Sequence, residues 1–215
     1  VLTDDLKAFQ NSVQRLGITY GYDLQAGRIT NKPGEYFLVV SCVSNGGPAH
    51  KAGLRRGDII ITLDGKAITK ENIYDAFNSY SINLGVAGLD GNGNISGDVR
   101  TVSLKAVDMY EDPVLVDKTF DVAGKKIGYL AYSAFDLNSS QTLPAVFRRF
   151  KSDNIDELIL DLRYNGGGYA FTENVLASMI APMANVLAGD IFQTEVYNSI
   201  LAEAWKKQGE DTNTY

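Results

Sequence analysis

The sequence predicts a mostly-β module of the α+β class followed by the start of an α/β domain, with a short helix in front. Three observations lead there. From Ile18 to about Val116 the chain runs in short apolar or alternating stretches broken by Gly, Pro, Asn and Asp clusters. From Lys125 onward the texture becomes strand, helix, strand, helix, the rhythm of a parallel sheet with crossover connections. At the N-terminus, Leu6, Phe9, Val13 and Leu16 repeat at helical spacing. The domains read as 1–16 (helix), 17–118 (β module) and 119–215 (the α/β part), with the boundary in segment 117–124.

The elements follow in order. Thr3 is placed to cap the first helix, Asp4 and Asp5 suit its dipole, and Gly17 supplies a left-handed stop. ITYGYDLQ and EYFLVVSCV read as strands, separated by the breaker-rich AGRITNKPG. Pro48 starts a short helix that Gly53 ends, Ile59-Ile60-Ile61 begins a strand, and Asp64-Gly65 signals a two-residue hairpin. ENIYDAFNSY reads as a helix with Ile73, Ala76, Phe77 and Tyr80 on one side, and VRTVSLKAV as an alternating strand. KKIGYLAYSAF, SSQTLPAVFRRFKSD, DELILDLR and TENVLASMIAP then give strand, helix, strand and helix, and KKQGEDTNTY a polar tail. The near-continuous apolar run of DELILDLR suits a central, buried strand.

Composition narrows the function. A net charge of -6 offers no basic stripe, which argues against nucleic acid as a partner. No apolar run is long enough to cross a bilayer, and no secretory leader is visible. The single Cys42 lies in an apolar run and reads as a small core residue. The single His50 falls in a Gly-Pro-rich turn, which disfavours histidine-based nucleophilic catalysis.

Two stretches carry chemistry. Pro48, Ala49, Ala52, Gly53, Leu54, Gly57, Asp58, Ile60, Asp64 and Gly65 match, in register, a pattern that resembles the PDZ family. That resemblance implies capture of a peptide as an added strand, its terminal carboxylate held by backbone N–H groups of a glycine-containing loop. Thr19, Tyr20, Gly21 and Tyr22 resemble that loop, although it usually carries a further glycine or small apolar residue. Tyr74 and Phe77 are the candidates to line the groove. The alternative is a PDZ-like fold that packs against its neighbour and binds no free peptide.

The second stretch is ILDLRYNGGG, which resembles the signature of the carboxyl-terminal processing peptidases, serine peptidases with tricorn-core relatives. In that family a PDZ module precedes a crotonase/tricorn-core-like α/β peptidase domain, the order found here. Three consecutive glycines exceed what a turn requires and suggest a close approach to the backbone. The resemblance implies that an N–H of this loop faces a developing oxyanion, with Gly167 the first candidate and Gly168 the second. Asp161 and Arg163 read as structural, holding the loop. A nucleotide-phosphate loop is the competing interpretation, but NGGGYAF has neither the G-K-[ST] of a P-loop nor the GxGxxG spacing.

The resemblance also implies a serine nucleophile with lysine as its base, in a small-residue motif well after the glycine loop. No such string occurs here. Ser178 falls in a helix pattern, Ser199 in VYNSILAEAW, and Lys206 and Lys207 at a polar end. The expectation is therefore the substrate-recruiting part of such a peptidase, inactive by itself, with nucleophile and base outside these residues. The rival is a non-catalytic PDZ protein with a degenerate peptidase half. The expected partners are polypeptide C-termini, and self-association through an incomplete core is a further expectation.

No cofactor or metal is implied. In GLDGNGNISGD, Asp90, Asn92 and Asn94 mimic the first positions of a calcium loop, but Ile95 replaces its glycine and Thr101 its glutamate. A long hairpin loop fits better. Resemblance to the Bacteroidetes-type branch implies export to the periplasm or cell surface, often as a lipoprotein.

Overall fold

The computed structural model describes Lys7, Asn11 and residues 15–89 and 95–209. Leu6, Phe9 and Val13 of the predicted first helix, Asp90, Asn92 and Asn94 of the calcium-like loop, and residues 210–215 lie outside the described residues. The chain divides into two compact units, 1–115 and 116–215.

The first unit contains β1 (Leu16–Thr19), β2 (Tyr22–Arg28), β3 (Tyr36–Val43), α1 (Pro48–Lys51), β4 (Ile59–Leu63) and β5 (Lys66–Ala67). These are followed by α2 (Asp75–Asn78), β6 (Ser81–Leu89), β7 (Ile95–Lys105) and β8 (Val107–Tyr110). Strands β2-β3-β4-β6-β7 form one antiparallel sheet in that order, and β5 pairs with β4. β1 and β8 form a separate antiparallel pair, with Leu16 opposite Tyr110 and Thr19 opposite Val107. One face of the sheet buries Leu38, Val40, Ile60, Ile82, Leu84, Val86, Val102 and Leu104, the alternate residues of their strands. Ala49 of α1, Leu54 and Ala76 of α2 close over them. Burial of each large aliphatic is worth about 1.5–3 kcal/mol, so this face sets the register. Asp64 and Gly65 both have positive φ, +48° and +76°, as the primed hairpin between β4 and β5 requires.

The second unit takes up most of β9 (Val114–Val122), then β10 (Lys125–Tyr132), α3 (Ser139–Asp153), β11 (Glu157–Asp161), α4 (Ala170–Ile180), α5 (Met183–Ala188) and α6 (Ser199–Gln208). Its sheet order is β11-β10-β9. β10 and β11 are parallel, with Ile127 opposite Glu157 and Ala131 opposite Asp161, and α3 is the crossover. Leu130, Tyr132, Leu143, Val146, Phe150 and Leu176 form its interior.

Several expectations are corrected. ITYGYDLQ is not one strand: Gly21, at φ +74°, breaks it into β1 and β2. Gly17 lies inside β1, and Arg15 takes the left-handed conformation just before it (φ +55°). The helix of ENIYDAFNSY is confined to Asp75–Asn78, and Phe77 and Tyr80 are exposed while Ala76 is buried. A turn held by Thr69 and Asn72 occupies the preceding residues. The boundary segment 117–124 is β9 and its turn, with Ala123 and Gly124 both at positive φ. The polar end forms α6 as far as Gln208. β11 is not central among the described strands. It is an edge strand, paired with β10 alone, and Ile159 on one of its faces is 52% exposed.

Candidate functional site

The two candidate sites lie in different units. In the first, β2 is an edge strand whose outer backbone is unpaired among the described residues. Just before it, the Thr19–Tyr22 turn is fastened from several sides. The Gly21 N–H donates to Thr19 Oγ1 (3.0 Å), and the Gly21 carbonyl accepts from the Ser44 N–H (2.9 Å). The Tyr20 carbonyl accepts from the Ala49 N–H (2.9 Å). Gly47 packs against Gly21, so a Cβ there would meet the Gly47 Cα at 3.4 Å, in a backbone conformation already restricted to glycine.

The side chains of Tyr20 and Tyr22 do not line this turn. Both are buried, with rings stacked at 5.4 Å between centroids. The Tyr22 hydroxyl donates to the Ala76 carbonyl at 2.5 Å, and the Tyr20 hydroxyl donates to the Ser79 carbonyl. Tyr22 thus ties β2 to α2, Tyr20 ties the turn to the residue that follows α2, and burial pushes both phenol pKa values up. Tyr74 and Phe77, at 67% and 47% exposure, stand on the solvent side of α2. Glu111, which nothing in the sequence singles out, also reaches the turn. Its Oε1 accepts from the hydroxyls of Thr19 (3.2 Å) and Ser44 (3.3 Å). Burial raises its pKa, against the lowering field of Arg15.

In the second unit the glycine loop is fastened to the chain that leaves β10. The Phe135 N–H donates to the Gly167 carbonyl (2.9 Å), and the Phe135 carbonyl accepts from the Tyr169 N–H (2.7 Å). Gly166 N–H donates to the Ser133 carbonyl, and Asn165 Nδ2 to that of Tyr132. The three glycines therefore serve different needs. At Gly168 (φ +145°) a Cβ would lie 2.2 Å from the Phe135 carbonyl oxygen, so the close approach suggested by the sequence is made by the protein's own backbone. Gly167 (φ +99°) needs its conformation but has open space around it. Gly166 has neither constraint.

The two N–H groups differ as well. That of Gly167 donates to Asn165 Oδ1 at 2.7 Å. The Gly168 amide takes no part in the Phe135 bridge, whose two bonds run from Phe135 to Gly167 and from Tyr169 to Phe135. Asn165 and Phe135 thus shape the loop. An Asn before glycines is a visible turn signal, whereas Phe135 carries none.

Asp161 and Arg163 form a two-oxygen ion pair at the end of β11, with Nη2–Oδ2 at 2.6 Å, and the Tyr129 hydroxyl donates to Asp161 at 2.6 Å. The Arg163 side chain and that hydroxyl hold the Asp161 carboxyl well below the usual range. Deeper in, Asp136 Oδ1 accepts from the N–H groups of Asn138 and Ser139 at the start of α3, and its carbonyl accepts from the Thr172 hydroxyl of α4. Ser178 Oγ donates to the Val175 carbonyl within α4, and Ser199 opens α6, whose last turn holds Lys206 and Lys207. Among the described residues no group of His, Cys, Asp and Glu is arranged to hold a metal, and no helix is long and apolar enough to cross a membrane.

Comparison with known proteins places both stretches. Residues 126–203 match the model of peptidase family S41, and residues 39–77 that of the PDZ domain. The chain is 28% identical over 174 residues to the C-terminal processing peptidase, chloroplastic, of Tetradesmus obliquus, covering 73% of this chain and 34% of that protein. It is 26% identical to carboxyl-terminal-processing peptidase 2, chloroplastic, of Arabidopsis thaliana, covering 77% of this chain and 32% of that one. The chain thus spans about a third of the length of these relatives. A solved structure of a putative S41 protease from Bacteroides fragilis superposes with a TM-score of 0.67 at 26% identity, over 92% of this chain and 51% of that one.

Proposed function

We propose, for a chain that joins a PDZ domain to part of a peptidase family S41 core, that it recruits polypeptide substrates by their C-termini for a serine-type carboxyl-terminal processing endopeptidase. The Gly21 turn receives the terminal carboxylate, which displaces Thr19 Oγ1 from the Gly21 N–H, and the substrate pairs with the open edge of β2 beside Tyr74 and Phe77. The glycine loop supplies an oxyanion donor. Gly168 is favoured over Gly167 for that role, because the Gly167 N–H is taken by Asn165. The nucleophile and its lysine base are not among these 215 residues, so this chain alone does not cleave peptides. Its working place is the periplasm or cell surface. Exposed Ile159 on the β11 edge favours self-association of two copies through the second unit.

The observation that carries the proposal is the edge position of β2 directly after a glycine turn. The test is NMR titration of the labelled chain with decapeptides that differ only in their last residue. Shifts concentrated in residues 19–28 and 74–77 are expected. No shifts, or shifts elsewhere, would refute recruitment at this edge. Casein digestion by the same chain separates the catalytic half of the proposal. No cleavage is expected, and cleavage removed by a serine-directed inhibitor would overturn the absence of the nucleophile.

A further inference from the structure

The turn assigned to carboxylate capture already has a carboxylate beside it. Glu111 Oε1 accepts from Thr19 Oγ1 at 3.2 Å, and the same Thr19 oxygen accepts the Gly21 N–H at 3.0 Å. One hydroxyl therefore stands between the Glu111 carboxylate and the amide that would hold an incoming terminus. A peptide carboxylate taking over that amide would stand on the order of 6 Å from Glu111. At that separation, like charges weaken binding about threefold in a water-like medium and about a hundredfold at an effective dielectric of 20. Glu111 is half-buried, so about tenfold is the working figure.

The surrounding charges do not cancel it. Arg15 Nε donates to the backbone carbonyl of Glu111 (2.9 Å) rather than to its carboxylate, while Asp23 on β2 adds a second negative field. Thr19 and Ser44 donate to Oε1 and favour the ionised form, but burial opposes it more strongly. The one histidine, His50, is exposed on α1 with its Nδ1 accepting from the Gly46 N–H.

We propose that Glu111 sets the specificity of the terminus-binding turn by its protonation: ionised, it repels a peptide carboxylate, and protonated, it admits it. This rests on the C-terminus recruitment proposed above. Binding then draws a proton from solvent onto Glu111, and the turn favours C-termini in a mildly acidic setting. A free peptide carboxylate, with a pKa of about 3.5, stays ionised throughout that range, so the switch belongs to the protein.

The test uses one decapeptide as free acid and as amide, with the wild-type chain and Glu111→Gln, at about pH 7.5 and about pH 5.5. The wild type should bind the acid more tightly at the lower pH, by up to about tenfold, and the amide with little change. Glu111→Gln should hold the acid with the tighter affinity at both values. His50 is intact in both proteins, so any slope it causes survives in the variant. Equal pH slopes in wild type and variant would overturn the role of Glu111 while leaving recruitment standing. Equal affinity for acid and amide everywhere would instead remove recruitment itself, and this proposal with it. If the variant does not fold, calorimetry of the wild type in buffers of different ionisation heat decides: proton uptake on binding the acid is required, and none would overturn the proposal.

Discussion

Replacing Gly168 by alanine would put a Cβ 2.2 Å from the Phe135 carbonyl oxygen and 2.6 Å from its carbonyl carbon. Neither atom can rotate aside, because both belong to the backbone. The residue would also be held at φ +145°, a conformation that costs a non-glycine residue about 1–3 kcal/mol. Relief of the clash means parting the two segments, with loss of the Phe135-to-Gly167 and Tyr169-to-Phe135 bonds at about 1 kcal/mol each. The expected loss is about 3–5 kcal/mol. Gly166→Ala has no such neighbour and a permissive backbone, so its expected effect lies within about 0.5 kcal/mol. Hydrogen exchange at the Phe135 and Tyr169 amides gives the local readout, and urea unfolding followed by Trp205, the one tryptophan, gives the magnitude in the second unit. Protection should be lost in Gly168→Ala and kept in Gly166→Ala. If the two variants are equally stable and equally protected, the strapped-loop explanation is wrong.

Other expectations follow from the same contacts. Tyr22→Phe removes the hydroxyl that serves the Ala76 carbonyl and should cost about 1–2 kcal/mol in thermal unfolding; an unchanged midpoint would refute the tie between β2 and α2. The depressed Asp161 pKa stabilises the fold above the ordinary carboxylate value of about 4, and that stability is lost as pH falls below it. Asp161→Asn should therefore weaken the second unit at neutral pH and flatten its acid unfolding limb; parallel limbs would contradict this. Glu111 has the opposite sign: its raised pKa means the fold binds the proton more tightly than the unfolded chain, so stability rises as pH falls through the folded value. Glu111→Gln should be more stable than wild type near neutrality, with the difference shrinking toward acid in urea midpoints measured across pH.

Patterns confined to a few residues were legible in the sequence. The Asp64-Gly65 hairpin, the Pro48 helix start and the β10-α3-β11 crossover each rest on neighbouring residues whose chemistry decides the local backbone. Glu111 was invisible because it lies 92 positions from Thr19, and only the β1–β8 pair brings them together. Tyr20 and Tyr22 read as loop residues, yet aromatic rings flanking a glycine turn bury more surface by folding under α2 than by facing water. At the glycine loop the need for a close approach was readable, but its partner was not. Phe135 contributes backbone atoms, which no side-chain pattern records. The apolar run of β11 suggested burial on both faces, whereas Ile159 is exposed on one of them.

Capture of a peptide C-terminus at the Gly21 turn is what distinguishes recruitment at this edge from a PDZ-like fold that binds no free peptide. Its most direct test is the affinity of one peptide, as free acid and as C-terminal amide, for the wild-type chain under mildly acidic conditions. Measurable binding of the acid is expected, with at least a tenfold loss on amidation, since the Gly21 N–H, released from Thr19 Oγ1, would hold an anion. Equal affinity for acid and amide would contradict it and take the Gly21 turn out of substrate recruitment.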